Sequence, residues 1–321
     1  MPNFSGIWDL RTQGQAVGGS NWVAGPLTGN IALYAGGYNG SATINEIEYV
    51  AIASSGNGAD FGDLTITRRF SAGMSSSTRA VFAGGSNPET NSIDFVTIST
   101  LGNAADFGDV TADRGTQGYA TGFSNETRGC YAGGYDSNAV INNIEYITIA
   151  SAGNGTDFGN LSVARVGADS GLSSTTRGIV GGGALDSGRS DVIDYVTISS
   201  TGNATDFGNL NEGLSSVAGT SSNTRGIFAG GRTTENKNTI QYITIGSTGN
   251  TTDFGDLSAA SRTNATSNKT TGLMMGGIPD GTSNTIEKIT IATTANSTDY
   301  GDLTSAKRQG TAVSNSHGGL S

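Results

Sequence analysis

The sequence predicts an all-β fold, a closed β-propeller of six four-stranded antiparallel blades, and three observations carry that prediction. One unit recurs six times, about every 48 residues. Each copy holds a hexad rich in β-branched and aromatic residues: IEYVAI from Ile47, IDFVTI from Ile93, IEYITI from Ile144, IDYVTI from Ile193, IQYITI from Ile240 and IEKITI from Ile286. The composition is turn-rich, with 51 glycines among 321 residues and only 14% charged side chains, which suits many short strands joined by tight turns.

Two landmarks frame each unit. A glycine pair ends an apolar run at Gly36-Gly37, Gly84-Gly85, Gly133-Gly134, Gly182-Gly183, Gly230-Gly231 and Gly276-Gly277, and an aromatic stands at Phe61, Phe107, Phe158, Phe207, Phe254 and Tyr300. Four strands are read between them. Strand A follows the aromatic, as in SVARVGADSGL after Leu161; strand B runs into the glycine pair, as in RGCYAGG from Arg128; strand C is the hexad; strand D ends in DFG[DN][LV]. Side chains shrink toward the glycine pair, which predicts positive φ and close backbone approach near the propeller axis. In strand C, Ile144, Tyr146 and Thr148 alternate with Glu145, Ile147 and Ile149, so both faces carry apolar groups, as a blade between two neighbours requires. The DFG aromatic is expected to fill the gap between adjacent blades. Its Asp (Asp60, Asp106, Asp157, Asp206, Asp253, Asp299) is expected to close the preceding polar turn with a local hydrogen bond.

An apolar strand ending in a glycine pair, a variable loop, a strand with an acidic-aromatic step and an aromatic anchoring the outer strand resemble the kelch repeat over 27–321. The sequence departs from that pattern in using Phe or Tyr where Trp is usual and in a longer turn between strands C and D. Strand A types occur seven times, from Arg11, Thr67, Arg114, Arg165, Asn211, Arg262 and Arg308, against six of each other strand. Because an open sheet edge leaves backbone groups unpaired, the surplus copy is expected to close the ring: Lys307 to Leu320 should lie in the first blade beside Ile31 to Gly37.

That closure divides the chain into an N-terminal leader or attachment segment, 1–26, and a propeller domain, 27–321. The leader holds the two tryptophans, and Trp8, Leu10 and Trp22 are its attachment candidates. Its Gly-X-Trp-X-Leu-X-X-Gln start followed by a second Trp resembles leaders on virion proteins of marine tailed bacteriophages, and the GNATDFG turn resembles repeats common there. The resemblance implies a tail- or fibre-type structural or adhesion component of a virion, synthesised in the host cytoplasm without a signal peptide. Its implied partners are other virion proteins through the N-terminal segment and a host-surface glycan or protein, with self-association left open. A cellular or secreted carbohydrate- or protein-binding propeller is the alternative, and a stray strand packed on the propeller's side is the alternative for the leader.

Composition argues against several chemistries. A net charge of −10 opposes nucleic-acid binding. A single cysteine, Cys130, excludes an intrachain disulfide framework, and a single histidine, His317, excludes His-rich metal cages. No apolar run reaches the roughly 20 residues of a membrane-spanning helix. The copper site of the kelch-type oxidase needs two His, two Tyr and a Cys, which this chain cannot assemble. His317 sits in a tail without a nucleophile elbow, the repeated Asp residues do not form a glycosidase pair, and Asp136-Ser137-Asn138 reads as a solvated turn rather than a calcium loop. No enzyme, cofactor or metal is expected.

Two sets of residues remain. Arginines open strand B in units two to five, and pairing each with the strand C acid of the preceding unit gives Arg79 with Glu48, Arg128 with Asp94, Arg177 with Glu145 and Arg225 with Asp194. These are expected inter-blade ion pairs, with the ring closure doing without one. The loops between strands B and C vary most, and they supply the surface recognition candidates Tyr38, Asn39, Asn87, Glu89, Tyr135, Asp136, Asp186, Arg189, Arg232, Glu235 and Asp280.

Overall fold

The computed structural model describes residues 27–111, 120–136, 139–167, 170–277 and 281–320. These form six four-stranded antiparallel sheets, with no helix among the described residues. The sheets are the six blades of a propeller, and their innermost strands touch in a closed cycle around the axis. Five blades use four consecutive strands, while the first places Thr311–Ser314 beside Ile31–Tyr38, with Leu33 opposite Val313. The ring thus closes through the C-terminal strand, as the strand count requires. Lys307 still belongs to the sixth blade, where it ends the strand Thr298–Lys307 opposite Ser283.

Two local expectations are corrected. The innermost strands are short pieces, Ala72–Ser75, Thr121–Ser124, Leu172–Ser173, Ala218–Ser221, Asn264–Ser267 and Thr311–Ser314. The residues just after Leu161, read as strand A, form a crossover from the outer edge of one blade to the centre of the next. The glycine pairs do take positive φ, +62° at Gly36 and +104° at Gly37. A Cβ on Gly37 would stand 2.6 Å from the Arg308 carbonyl oxygen, so the crowding comes from the crossovers and not from the axis. The axis is lined instead by Gly73, Gly122, Gly171, Gly219, Ala265 and Ala312.

The core is six clusters, one in each gap between blades. Phe61 joins Ile47 and Leu64 of the first blade to Phe82, Val96 and Ile98 of the second, and Phe107, Phe158, Phe207, Phe254 and Tyr300 do the same further round. Full burial of each such ring contributes roughly 2–3 kcal/mol. In five blades the ring also meets the strand C aromatic edge-on, at centroid distances of 5.8 Å for Phe95 and Phe107 to 6.4 Å for Tyr49 and Phe61.

The DFG aspartates are exposed in all six repeats, and the turn is fixed by another residue. Asn57, Asn103, Asn154, Asn203, Asn250 and Asn296, in the turns between strands C and D, each accept through Oδ1 from a backbone N–H in the preceding blade at 3.0–3.1 Å. The backbone adds a second bond beside each, such as Ala104 N–H to Asp63 O at 2.7 Å. A turn that looks local in sequence is a clasp between neighbours.

The expected arginine–acid pairs are not the ones that form. Side-chain alternation along a strand sends the two groups to opposite faces of a blade. The arginines face forward: Arg79, Arg128, Arg177 and Arg225 stack on Phe95, Tyr146, Tyr195 and Tyr242 at 4.8, 4.1, 4.7 and 4.4 Å. Each also donates to a carbonyl just past strand C of the following blade, for example Arg128 Nη1 to Ile198 O at 2.9 Å. The acids face backward, onto the preceding crossover. Asp94 takes Thr65 and Arg68, Asp194 takes Ser162 and Arg165, Glu48 takes Thr304 and Lys307, and Glu145 accepts from Thr111 and Tyr131. The closing seam between blades six and one therefore does carry an ion pair. In the fifth blade Gln241 stands in the acid's place, accepting from Asn211 N–H at 2.9 Å and Thr251 Oγ1 at 2.6 Å, with Leu214 where the cation would be.

Candidate functional site

An antiparallel blade sends its B-to-C loops and its D-to-A crossovers to one face of the disc and its A-to-B and C-to-D turns to the other. The surface candidates therefore share one face. Asn39 stabilises its own loop, its Oδ1 accepting from the N–H groups of Ser41 and Ala42, while Tyr38 OH donates to Gly40 O at 2.9 Å. Asp136 caps its turn in the same way, accepting from Ala139 N–H at 2.7 Å, and Tyr135 bridges to Val140. Among the described residues no group of three or more His, Cys, Asp or Glu could hold a metal ion.

Asn87, Glu89, Asp186, Arg232 and Glu235 are exposed, and Arg189 Nε donates to Ser215 Oγ at 3.2 Å. Arg232 and Glu235 meet Arg262 in a hollow shared by the fifth and sixth blades. Tyr38 is brought beside Arg69 and Arg308, two residues that sequence reasoning left aside because neither lies in a B-to-C loop. Asp280, Trp8, Leu10 and Trp22 lie outside the described residues.

On the opposite face the axial channel ends in a ring of six buried serines. Each hydroxyl donates to the carbonyl of the serine in the preceding blade: Ser124 to Ser75, Ser173 to Ser124, Ser221 to Ser173, Ser267 to Ser221, Ser314 to Ser267 and Ser75 to Ser314, at 2.5–2.8 Å. The hexad pattern gives no hint of this ring, but a Ser at the end of every strand A could have. The tail lies across it, with Gly318 N–H donating to Ser221 O at 3.1 Å. A cavity of about 50 Å³ at this level is lined in part by His317, room for only a few waters.

His317 Nε2 stands 3.3 Å from both Ser124 Oγ and Ser75 O, and Gly319 N–H donates to Nδ1 at 3.1 Å. The ring proton is therefore assigned to Nε2. The Ser124 hydroxyl already gives its proton to Ser75 O, so the contact is wired opposite to a base aimed at a nucleophile. Burial lowers the His317 pKa to about 4, against smaller opposing effects of the Ser75 carbonyl and Glu126. Burial likewise pushes the Cys130 thiol up to about 12, which removes it as a thiolate nucleophile.

A scan against protein-family models finds no match to the chain, and a search of curated proteins finds none either.

Proposed function

We propose that the chain is a non-enzymatic docking and recognition propeller, a tail- or fibre-type structural or adhesion component of a tailed phage. The polarity of the disc carries the docking half of this reading. Both ends of the described propeller lie on one face, where Asn315 Oδ1 accepts from Ile31 N–H at 2.8 Å, Asn315 Nδ2 donates to Gly29 O at 3.0 Å, and Leu27 N–H donates to Ser99 O at 2.8 Å. The B-to-C loops occupy the opposite face. A rigid body entered from one side and varied on the other suits attachment with presentation.

Support for the virion half is the resemblance of Gly6, Trp8, Leu10, Gln13 and Trp22 to phage leaders, together with the GNATDFG repeats. Antibody raised against the purified full chain is expected to label intact tailed particles, and free chain is expected to slow their adsorption to host cells. Particles that lack the chain would overturn the virion reading. Retention of the chain by a cell-surface glycan or protein, with no particle carrying it, would move the assignment to a cellular or secreted binding propeller.

A further inference from the structure

Two pairs of adjacent cations, Arg68-Arg69 and Lys307-Arg308, occupy the same place in the two crossovers that flank the first blade. In each pair the first cation turns inward and is neutralised. Arg68 meets Asp94 at 2.8 Å, and Lys307 meets Glu48, with Glu46 at 2.9 Å. The second cation turns to the loop face. The guanidinium carbons of Arg69 and Arg308 lie 5.5 and 5.0 Å from the centre of the Tyr38 ring, so one aromatic gathers both.

Neither of these arginines has a carboxylate within 4.0 Å among the described residues. Arg69 is held by neutral acceptors only. Its Nη1 donates to Gln309 Oε1 at 3.3 Å, and with the Asn87 amide turned to present its oxygen, Nε and Nη2 donate to it at 3.0 and 2.8 Å. Arg308 Nη1 reaches the Gly281 carbonyl at 3.4 Å, and its buried Nε has no partner. The backbone fixes the arrangement: Phe70 and Gln309, each following one of the arginines, hold φ of 59° and 60°, and Phe70 N–H donates to Gln309 O at 2.9 Å.

Two like charges gathered on one ring repel, and this chain has 27 acids against 17 basic residues from which to neutralise them. Both guanidinium groups keep a charge that only neutral acceptors meet among the described residues, so a carboxylate or sulfate supplied from outside can take the Arg308 Nη2 donors and compete with the neutral amide oxygens for Arg69. The amide NH₂ groups of Asn87 and Gln309 remain for a neighbouring hydroxyl. We infer that Arg69, Arg308 and Tyr38 form an oxyanion-binding site on the loop face, which takes a carboxylate or sulfate borne by an acidic polysaccharide. The site does not depend on the virion reading; it assigns a ligand chemistry to the propeller whatever carries it.

The test is calorimetric titration of the full chain with a polyuronate, a sulfated polysaccharide and an uncharged glucan of matched length. At least one charged polymer is expected to bind and the glucan is not, and the two charged arms tell carboxylate from sulfate. The double variant Arg69→Gln/Arg308→Gln is expected to weaken binding by about tenfold or more, whereas Arg232→Gln on the same face should change it by less than about twofold. Thermal melts establish that the variants fold; if the double variant does not, Arg308→Gln alone decides by a loss of about threefold or more. Failure of both charged polymers to bind, or equal binding by wild type and the arginine variants, overturns the site.

Discussion

At the interface between the third and fourth blades, Arg128 stacks on Tyr146 and its guanidinium caps the carbonyl of Ile198. At the seam between the sixth and first blades, Thr271 holds the arginine's position and the same two tasks are divided. Lys288 Nζ, from strand C, sits 5.8 Å over the ring of Tyr300, and the single proton of the Tyr300 hydroxyl is shared between the carbonyls of Ala51, at 2.5 Å, and Ser54. The seam explains why the sixth landmark is Tyr where the other five are Phe. The comparison separates task from residue: in five of the six gaps a cation lies against the aromatic and a side chain caps a carbonyl at the end of strand C next door, by two unlike sets of side chains, while between the first and second blades Ile31 holds the arginine's position and Leu27 N–H donates to Ser99 O.

Substitutions can break or sharpen that comparison. The largest effect is expected at the C-terminal strand that completes the first blade and so closes the ring. Val313→Asp places a carboxylate in the core between the first two blades, and denaturant unfolding should show a loss of about 4 kcal/mol or more. Retention of a wild-type midpoint would mean that the closing strand is dispensable. Next comes the buried pair of the seam. Lys307→Met strands Glu48, 3% exposed, and should cost about 3–5 kcal/mol. Lys307→Met/Glu48→Gln copies the neutral arrangement of Leu214 and Gln241, and most of that loss should return.

Smaller effects test the divided staple. Tyr300→Phe removes the one hydroxyl proton shared by the Ala51 and Ser54 carbonyls and should cost about 1 kcal/mol, comparable with Arg128→Met at a repeated interface. A cost confined to one of the two variants would show that the seam and the repeats do not solve the same problem. The smallest effect at neutral pH is expected for His317→Gln, and its signature is pH. The native pKa of about 4 lies below the ordinary 6.5, so the unfolded chain binds more protons between these values. Wild-type stability should be level above pH 6.5, fall as pH drops toward 4 and then level again with respect to this group. The variant should lack that component of the slope.

What was legible in the sequence follows the range of the interaction. The hexads, the positive φ of the glycine pairs and the filling role of the DFG aromatic depend on neighbours within one blade or on a period, and they read correctly, whereas the crowding at the glycine pairs comes from the crossovers and was misplaced at the axis. Closure followed from counting strands. Strand A was misplaced because its pieces are short and polar, only Leu172–Ser173 in the fourth blade, and carry no alternation to detect. The ion pairs were misassigned because Arg79 and Asp94 face opposite neighbours. A usable signal was present: four residues after the leucine that follows the DFG or DYG motif stand Arg68, Arg165 and Lys307, whose partners are acids, and Leu214, whose counterpart is Gln241, with Ser261, opposite Glu287, as the exception. The meeting of Arg69 and Arg308 on Tyr38 could not be read at all, because it exists only once the ring is shut.

Shutting the ring also sets an order of assembly. The bond between Ile31 and Asn315 spans 284 residues, a loop whose closure costs about 5 kcal/mol in chain entropy. Five blades can form from contiguous chain, but the first has only three strands until Thr311–Ser314 arrives. During synthesis from the N-terminus, the segment IALYAGGY, without a single charge, therefore waits as an open edge while some 270 further residues are made. The stretch that defines the native disc is for most of that time its most exposed route to mispairing with another copy.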